Sequence, residues 1–324
     1  VAYYLSKAKA KVALIEKGDI ASGASSRNGA LIRMSPKEPQ PYAALCIESG
    51  RLLLELVEDL MGPISLRLAG SMEVLTNESE VAKAREFVAQ QETFPGVEVH
   101  LLDAATTRDL EPALSDAVIG SIYYPKEMDL NCMLFTLEVA RAAKRYGTHV
   151  YTHTEVTGIH MQGDTITGVA TTDGDFNAPV VVNAAGVDAP RIGHMVGLSV
   201  PVFRIRGQVI MTERMPPLLN RFIGEAYQTA AGNLYVGVTN QFMSHELRST
   251  FPEIAPALQP VIRVLPALRE ANVIRVWTGV RPVPPDGAPI MGSVVGLPGY
   301  YTVAGHAGIT LGPVQGKITA DLIT

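Results

Sequence analysis

Apolar positions recur at helical spacing over residues 45–61, where Leu45, Leu52, Leu53, Leu56, Val57 and Leu60 are separated by Glu and Arg and the run stops at Gly62-Pro63. The same reasoning predicts helices over 79–91, 105–110, 130–146 (closed by Gly147), 189–197, 254–270 and from 309 to the end, preceded by a partial helix at 1–7. Alternating or continuous apolar runs predict two strands within 64–76 about Gly70, then strands at 97–102, 117–124 and 149–153. A hairpin follows, 157–162 and 165–172 about Gly163-Asp164. Further strands fall at 180–186, throughout 201–240, at 273–281 and at 300–304. Pro282-Val283-Pro284-Pro285-Asp286-Gly287 reads as a rigid turn.

Two passages stand out. Lys11-Val12-Ala13-Leu14-Ile15-Glu16-Lys17 is a short apolar run ending in a carboxylate, as in a buried parallel strand whose acidic end hydrogen-bonds a ribose in a dinucleotide-binding βαβ unit. The Ser/Gly/Arg loop behind it, 18–29, offers backbone N–H groups, hydroxyls and one guanidinium to a pyrophosphate. The second passage, Val180-Val181-Val182-Asn183-Ala184-Ala185-Gly186, is a continuous apolar strand running into small residues that let a ligand approach closely. The opening Val1-Ala2-Tyr3-Tyr4-Leu5 reads as the back half of a crossover helix, so the expected N-terminal strand and G-x-G-x-x-G turn are absent from the chain. Strand–loop units with nucleotide features lie at both ends and in the middle, separated by blocks of antiparallel character. That predicts a mixed α/β fold with a Rossmann-like cofactor domain (1–36, 128–199 and 272–324) interleaved with an antiparallel-sheet substrate domain (37–127 and 200–271).

Composition narrows the function classes. At 324 residues, 47% hydrophobic, 18% charged and net charge −5, the chain has ample core and no electrostatic case for nucleic acid. No apolar stretch approaches the ~18 residues of a membrane helix. Two cysteines, Cys46 and Cys132, make neither a disulfide framework nor a metal site, which fits a reducing, cytoplasmic compartment.

Four passages, in order, resemble the FAD-dependent amino-acid oxidase and dehydrogenase family that includes glycine oxidase, sarcosine oxidase and D-amino-acid oxidase. They are Ile15-Glu16-Lys17 through Ser26-Arg27-Asn28-Gly29; Val182-Asn183-Ala184-Ala185-Gly186; Trp277-Thr278-Gly279-Val280-Arg281-Pro282 with Pro285-Asp286-Gly287-Ala288-Pro289-Ile290; and Ala304-Gly305-His306 with Gly308-Ile309-Thr310-Leu311-Gly312-Pro313. The resemblance implies FAD as cofactor. Glu16 would take the adenosine ribose, with Lys17 beside it. Ser22, Ser25, Arg27, Asn28 and Gly29 would line the pyrophosphate and flavin edge, and Val156 would meet the adenine through its backbone. Ala184, Ala185 and Gly186 would pack on the cofactor, and Gly305, His306, Gly308, Ile309 and Thr310 would sit near the isoalloxazine at a helix N-terminus. Arg281 resembles the family's substrate-carboxylate clamp, and Tyr227 is the candidate for a second polar contact. The loop Gly305–Ile309 is about two residues shorter than the family's usual glycine-rich turn.

The expected activity is hydride transfer from the α-carbon of a small amino acid or secondary amine to flavin N5, giving an imine that water hydrolyses. Such a site needs a cation to fix the carboxylate rather than a nucleophilic triad. The alternatives are a dehydrogenase subunit that passes electrons to a quinone, a membrane acceptor or a partner subunit, a homo-oligomer, and a non-catalytic fragment. At single residues the bland readings stand beside these. Arg281 could pair with Asp286, Arg204 and Arg206 could extend the active-site cation set or form a solvated face, His149 and His153 read as structural, and Met34, Met72, Met211 and Met243 read as core fillers.

Overall fold

Two long strands, Phe203–Arg214 and Val273–Val283, form the spine of the molecule, paired antiparallel from Phe203↔Val283 to Thr212↔Val273. The computed structural model describes residues 1–35, 37–237, 239–242 and 248–324; Met243 lies outside them. On the other edge of Phe203–Arg214 pair Asn233–Gly237 and Gln241–Phe242. Ala226–Gln228, Phe222–Ile223, Ser71–Leu75, Gly120–Tyr124 and His100–Asp103 extend this to a nine-stranded sheet.

Strand periodicity splits the sheet's residues between two environments. Ile210 and Val280 face the side where Ile223, Ala226, Leu234 and Val236 form a core with Val264, Leu265 and Leu268 from helix Phe251–Val264 and the turn behind it. On the other side stand Met211, Val209, Gly207 and Ile205 opposite Arg275, Trp277, Gly279 and Arg281. That second face meets a helical core built from Ala2–Lys7, Gln40–Glu58, Cys132–Arg145 and Gly308–Ile323, in which Leu53, Phe135, Leu311 and Val314 are buried beside Phe222 and Tyr227.

Against these helices lie short parallel pairings. Ala13–Ile15 pairs with His149–Tyr151, and Val181–Asn183 pairs with Leu297–Ala304, which is joined antiparallel on its far edge by Ile290–Val294. The hairpin turns at Gly163 (φ 60°), as its Gly-Asp pair predicts, and gains a third strand, Gly174–Asn177, that the sequence did not suggest. Asn77 caps helix Glu78–Gln91, its Oδ1 accepting the Glu80 N–H at 3.0 Å.

The expected domain boundaries near 37 and 272 do not follow the packing. Strand Val273–Val283 lies wholly within the large sheet, and helix Gln40–Glu58 packs on Gly308–Ile323, with Ser49 Oγ accepting the Val314 N–H at 3.2 Å. Both segments read correctly as elements; their partners are distant in sequence and could not be read from periodicity. Arg206 is a second correction. It lies on the face opposite Arg281 and is 2% exposed, with hydrogen bonds to Gln241, Glu253, Thr250 and the Arg248 carbonyl, so it belongs neither to the cleft nor to a solvated face.

Two glycines in register, Gly207 and Gly279, strip one patch of the large sheet of side chains. A Cβ on Gly279 would lie 2.5 Å from the Arg27 carbonyl oxygen, whereas one on Gly207 would meet only the end of the Arg281 side chain at 2.9 Å. Gly279→Ala is therefore expected to cost roughly 1–3 kcal/mol in urea unfolding, because backbone must move. Gly207→Ala should cost clearly less, since a flexible guanidinium can swing away. Equal costs would mean that the Arg27 loop does not rest on Gly279.

Candidate active site

Glu16 directly follows strand Ala13–Ile15, at the carboxyl end of a parallel pair, where ligands of α/β sheets bind. Its Oε1 accepts the Gly18 N–H at 2.8 Å, which fixes the carboxylate while leaving Oε2 available. Asn28 organises the loop behind it: its amide donates to the Ser25 carbonyl at 2.8 Å and its Oδ1 accepts the Ala30 N–H at 3.0 Å. Ser22, Gly23 and Arg27 are exposed along this loop. At the end of Val181–Asn183, Ala184 and Ala185 are exposed and Gly186 adopts φ 57°. Asn183 holds that end in place, donating to the Ala189 carbonyl and the Tyr300 hydroxyl at 2.9 Å each.

Several expected cofactor contacts have other partners. Lys17 forms an ion pair with Asp188, tying the loop after Ala13–Ile15 to the turn after Val181–Asn183. The Val156 carbonyl accepts Arg191 Nη1 at 3.2 Å, and the Thr310 hydroxyl, 3% exposed, accepts the Arg33 N–H at 3.2 Å. Lys17 and Thr310 are thus engaged as structural links. Ala307 (φ 57°) turns the chain sharply into helix Gly308–Ile323, which no side chain caps, and a Cβ on Gly308 would meet open space.

Arg281 lies on the sheet face turned toward these groups, its guanidinium over Gly207 and its Nη1 donating to Asn240 Oδ1. Among the described residues it has no carboxylate within ion-pair distance. Asp286 instead accepts the Ala288 N–H at 3.0 Å within its own turn. Arg27, Asn28, Gly207, Gly279 and Arg281 line one small cleft, so the loop assigned to the cofactor and the arginine assigned to substrate meet there. His306 borders the same region: surrounding protein, then the charges of Arg281 and Lys37, hold its pKa down to about 4, so it is a neutral imidazole at neutral pH.

Tyr227 is not brought to Arg281. It pairs with Tyr235, which pairs with Met211, which pairs with Arg275, three strands across and six residues along from Arg281. That is roughly 20 Å or more between backbones. Tyr227 is 6% exposed, stacked on Phe222 at 5.4 Å and edge-on to Tyr235 at 5.1 Å, so it fills the aromatic core. Two residues before it, on the same face, Glu225 feels the charges of Arg33 and then Arg281; period-2 alternation from Tyr227 is the sequence signal that points to it. A second charged group flanks the cleft. Arg33 reaches Glu73 at 3.2 Å and Glu127 at 4.0 Å, and Glu127 also accepts from Ser71.

The donor set fits FAD: a carboxylate placed for a ribose, small exposed residues for a flat ring system, and exposed loop polar groups. Glu16, the Ser22–Gly29 loop, Ala184–Gly186 and Gly305–Ile309 would hold it. A carboxylate at the end of a parallel strand, beside an antiparallel sheet that presents an arginine with no ion pair among the described residues, fits a protein that binds a dinucleotide cofactor. The chain belongs to the family described as FAD dependent oxidoreductase (DAO), whose profile matches residues 1–322. It is 29% identical to glycine oxidase of Geobacillus kaustophilus, with 100% of this chain and 89% of that protein covered. It is 30% identical to hydrogen cyanide synthase subunit HcnC of Pseudomonas protegens, covering 88% of this chain and 71% of that protein. The crystal structure of the Geobacillus kaustophilus glycine oxidase superposes with a TM-score of 0.93 at 28% identity, covering 100% and 90% of the two chains. That of L-proline dehydrogenase from P. horikoshii gives 0.92 at 26%, covering 100% and 89%.

Glu16→Ala should weaken FAD binding by about 1.5–3 kcal/mol through loss of a charged hydrogen bond, measured by flavin titration. Unchanged affinity would move the ribose elsewhere. Glu127, 1% exposed, has its pKa raised by burial from 4.5 to about 7. The folded state therefore binds an extra proton between these values, and the stability this gives is present below pH 4.5 and lost as pH rises through 7. Glu127→Gln should remove that loss, retaining roughly 3 kcal/mol at pH 8 relative to pH 4.5 that the wild type forfeits. Urea unfolding at both pH values measures it.

Proposed function

We propose that this protein oxidises a small amino acid or N-substituted amino acid, with Arg281 holding the substrate carboxylate. The observation that carries this reading is the Arg281 guanidinium, laid flat over Gly207 and without a carboxylate partner among the described residues. A half-buried guanidinium lacking a counter-ion favours a bidentate anionic ligand. FAD, when bound, supplies the hydride acceptor. The chain's own residues bind and orient: Asn240 aims the guanidinium, Gly207 lets it lie against the sheet, and neutral His306 borders the cleft without adding charge. The relatives include enzymes named for amino acids, among them glycine oxidase and D-amino acid dehydrogenase. A second reading, a dehydrogenase subunit working with a partner, is favoured by relatives that are themselves named as subunits, of hydrogen cyanide synthase and of opine oxidase. Oxygen consumption against dye reduction separates the two.

Arg281→Met should lower kcat/KM for amino acids about 30-fold to several thousandfold, equivalent to roughly 2–5 kcal/mol, while FAD affinity stays unchanged. Decarboxylated amines should lose far less, and Arg281→Lys should recover only part, since an ammonium keeps the charge but not the fork. Equal loss for acids and amines would make Arg281 structural.

A further inference from the structure

Glu225 lies beside the cleft, near enough to Arg281 for their charges to act on each other. A Cβ on Gly237 would lie 3.2 Å from Glu225 Oε2, so the carboxylate sits over the bare backbone of Gly237 as the Arg281 guanidinium sits over Gly207. Val209 pairs with Gly237, which makes Gly207 and Gly237 diagonal neighbours on adjacent strands. Such positions are roughly 7–8 Å apart. Glu225 is exposed and makes no side-chain hydrogen bond or ion pair among the described residues; the charges facing it are Arg33, then Arg281 and Glu73. The surrounding protein raises its pKa, which makes it a better proton acceptor than an open surface carboxylate. An α-amino acid between a guanidinium and a carboxylate needs two charge-assisted hydrogen bonds of about 2.8 Å plus roughly 3 Å between its own nitrogen and oxygen, a span of about 8–9 Å.

We propose that Glu225 is the amine-recognition residue of the site, receiving the substrate ammonium while Arg281 holds the carboxylate. One ammonium proton passes to a Glu225 Oε, and the nitrogen keeps the electron pair required to form the C=N bond when the α-hydrogen departs. The site therefore selects primary and N-monosubstituted α-amino acids, and it takes simple carboxylates weakly. This rests on the amino-acid reading above.

The test uses a pair of ligands that cannot be oxidised, 2-aminoisobutyrate and isobutyrate, which differ only in the amine and carry no oxidisable C–H on an amine-bearing carbon. Calorimetric titration of the FAD-loaded protein should show the amino acid binding at least about tenfold tighter, as one charge-assisted contact implies. Glu225→Gln should erase that preference while leaving isobutyrate affinity within about twofold, and Glu225→Asp should keep part of it. Two outcomes overturn the proposal: no wild-type preference, or equal loss of both ligands in Glu225→Gln. If isobutyrate binding depends on Arg281 while Glu225→Gln changes nothing, only the role of Glu225 falls. If neither ligand binds the wild type, the amino-acid reading falls with it.

Discussion

The rest of the site depends on a close approach that only glycine permits. Phe203–Arg214 and Val273–Val283 bring Gly207 and Gly279 into register in the middle of a twelve-residue and an eleven-residue strand. Strand interiors ordinarily disfavour glycine, which has no side chain to pack and more backbone entropy to lose. Here the absence of side chains allows two contacts at once: the Arg27 backbone rests on Gly279, and the Arg281 guanidinium rests on Gly207. Gly237 repeats the device one strand over for Glu225. Bare backbone, rather than a deep preformed hole, shapes the cleft.

Among the described residues, charge in this region is arranged so that Arg281 has no ion-pair partner. Arg33 is matched by Glu73 and Glu127, Lys17 by Asp188, and buried Arg206 by Glu253 on the far face. His306 is held neutral. Lys37 has its pKa lowered by burial and lies over the Tyr42 ring at 5.6 Å. Arg281, with Arg27, thus lines the cleft without an ion pair among the described residues, and Glu225 is the carboxylate whose charge acts on Arg281.

Local order was legible in the chain. The helix 45–61 stripe, the Gly163-Asp164 hairpin, and the apolar strands that lead into Glu16 and Ala184 all depend on short-range periodicity and turn chemistry, and each is present. What sequence could not show depends on partners far along the chain. Thr310 serves Arg33, 277 residues away, and Lys17 serves Asp188, 171 residues away. Tyr227 failed for a related reason. Its type suited a substrate contact, but register, which sequence does not state, put it in the aromatic core and put Glu225, two residues back, at the rim. Arg204 and Arg206 were placed on one face correctly, yet which face was inward depended on a helix, Phe251–Val264, that packs from more than forty residues away.

The two halves of the site are mechanically joined. Asn28 braces the loop that follows Glu16, and the same loop bears on Gly279, two residues from Arg281 along one continuous strand. Lys17 and Asp188 clamp the two parallel strand ends together, and Arg204, on the strand paired with that of Arg281, approaches the same Asp188 at 3.9 Å. A displacement of the Ser22–Gly29 loop is therefore felt by the backbone that carries Arg281. Close-packed strands transmit such displacements instead of absorbing them.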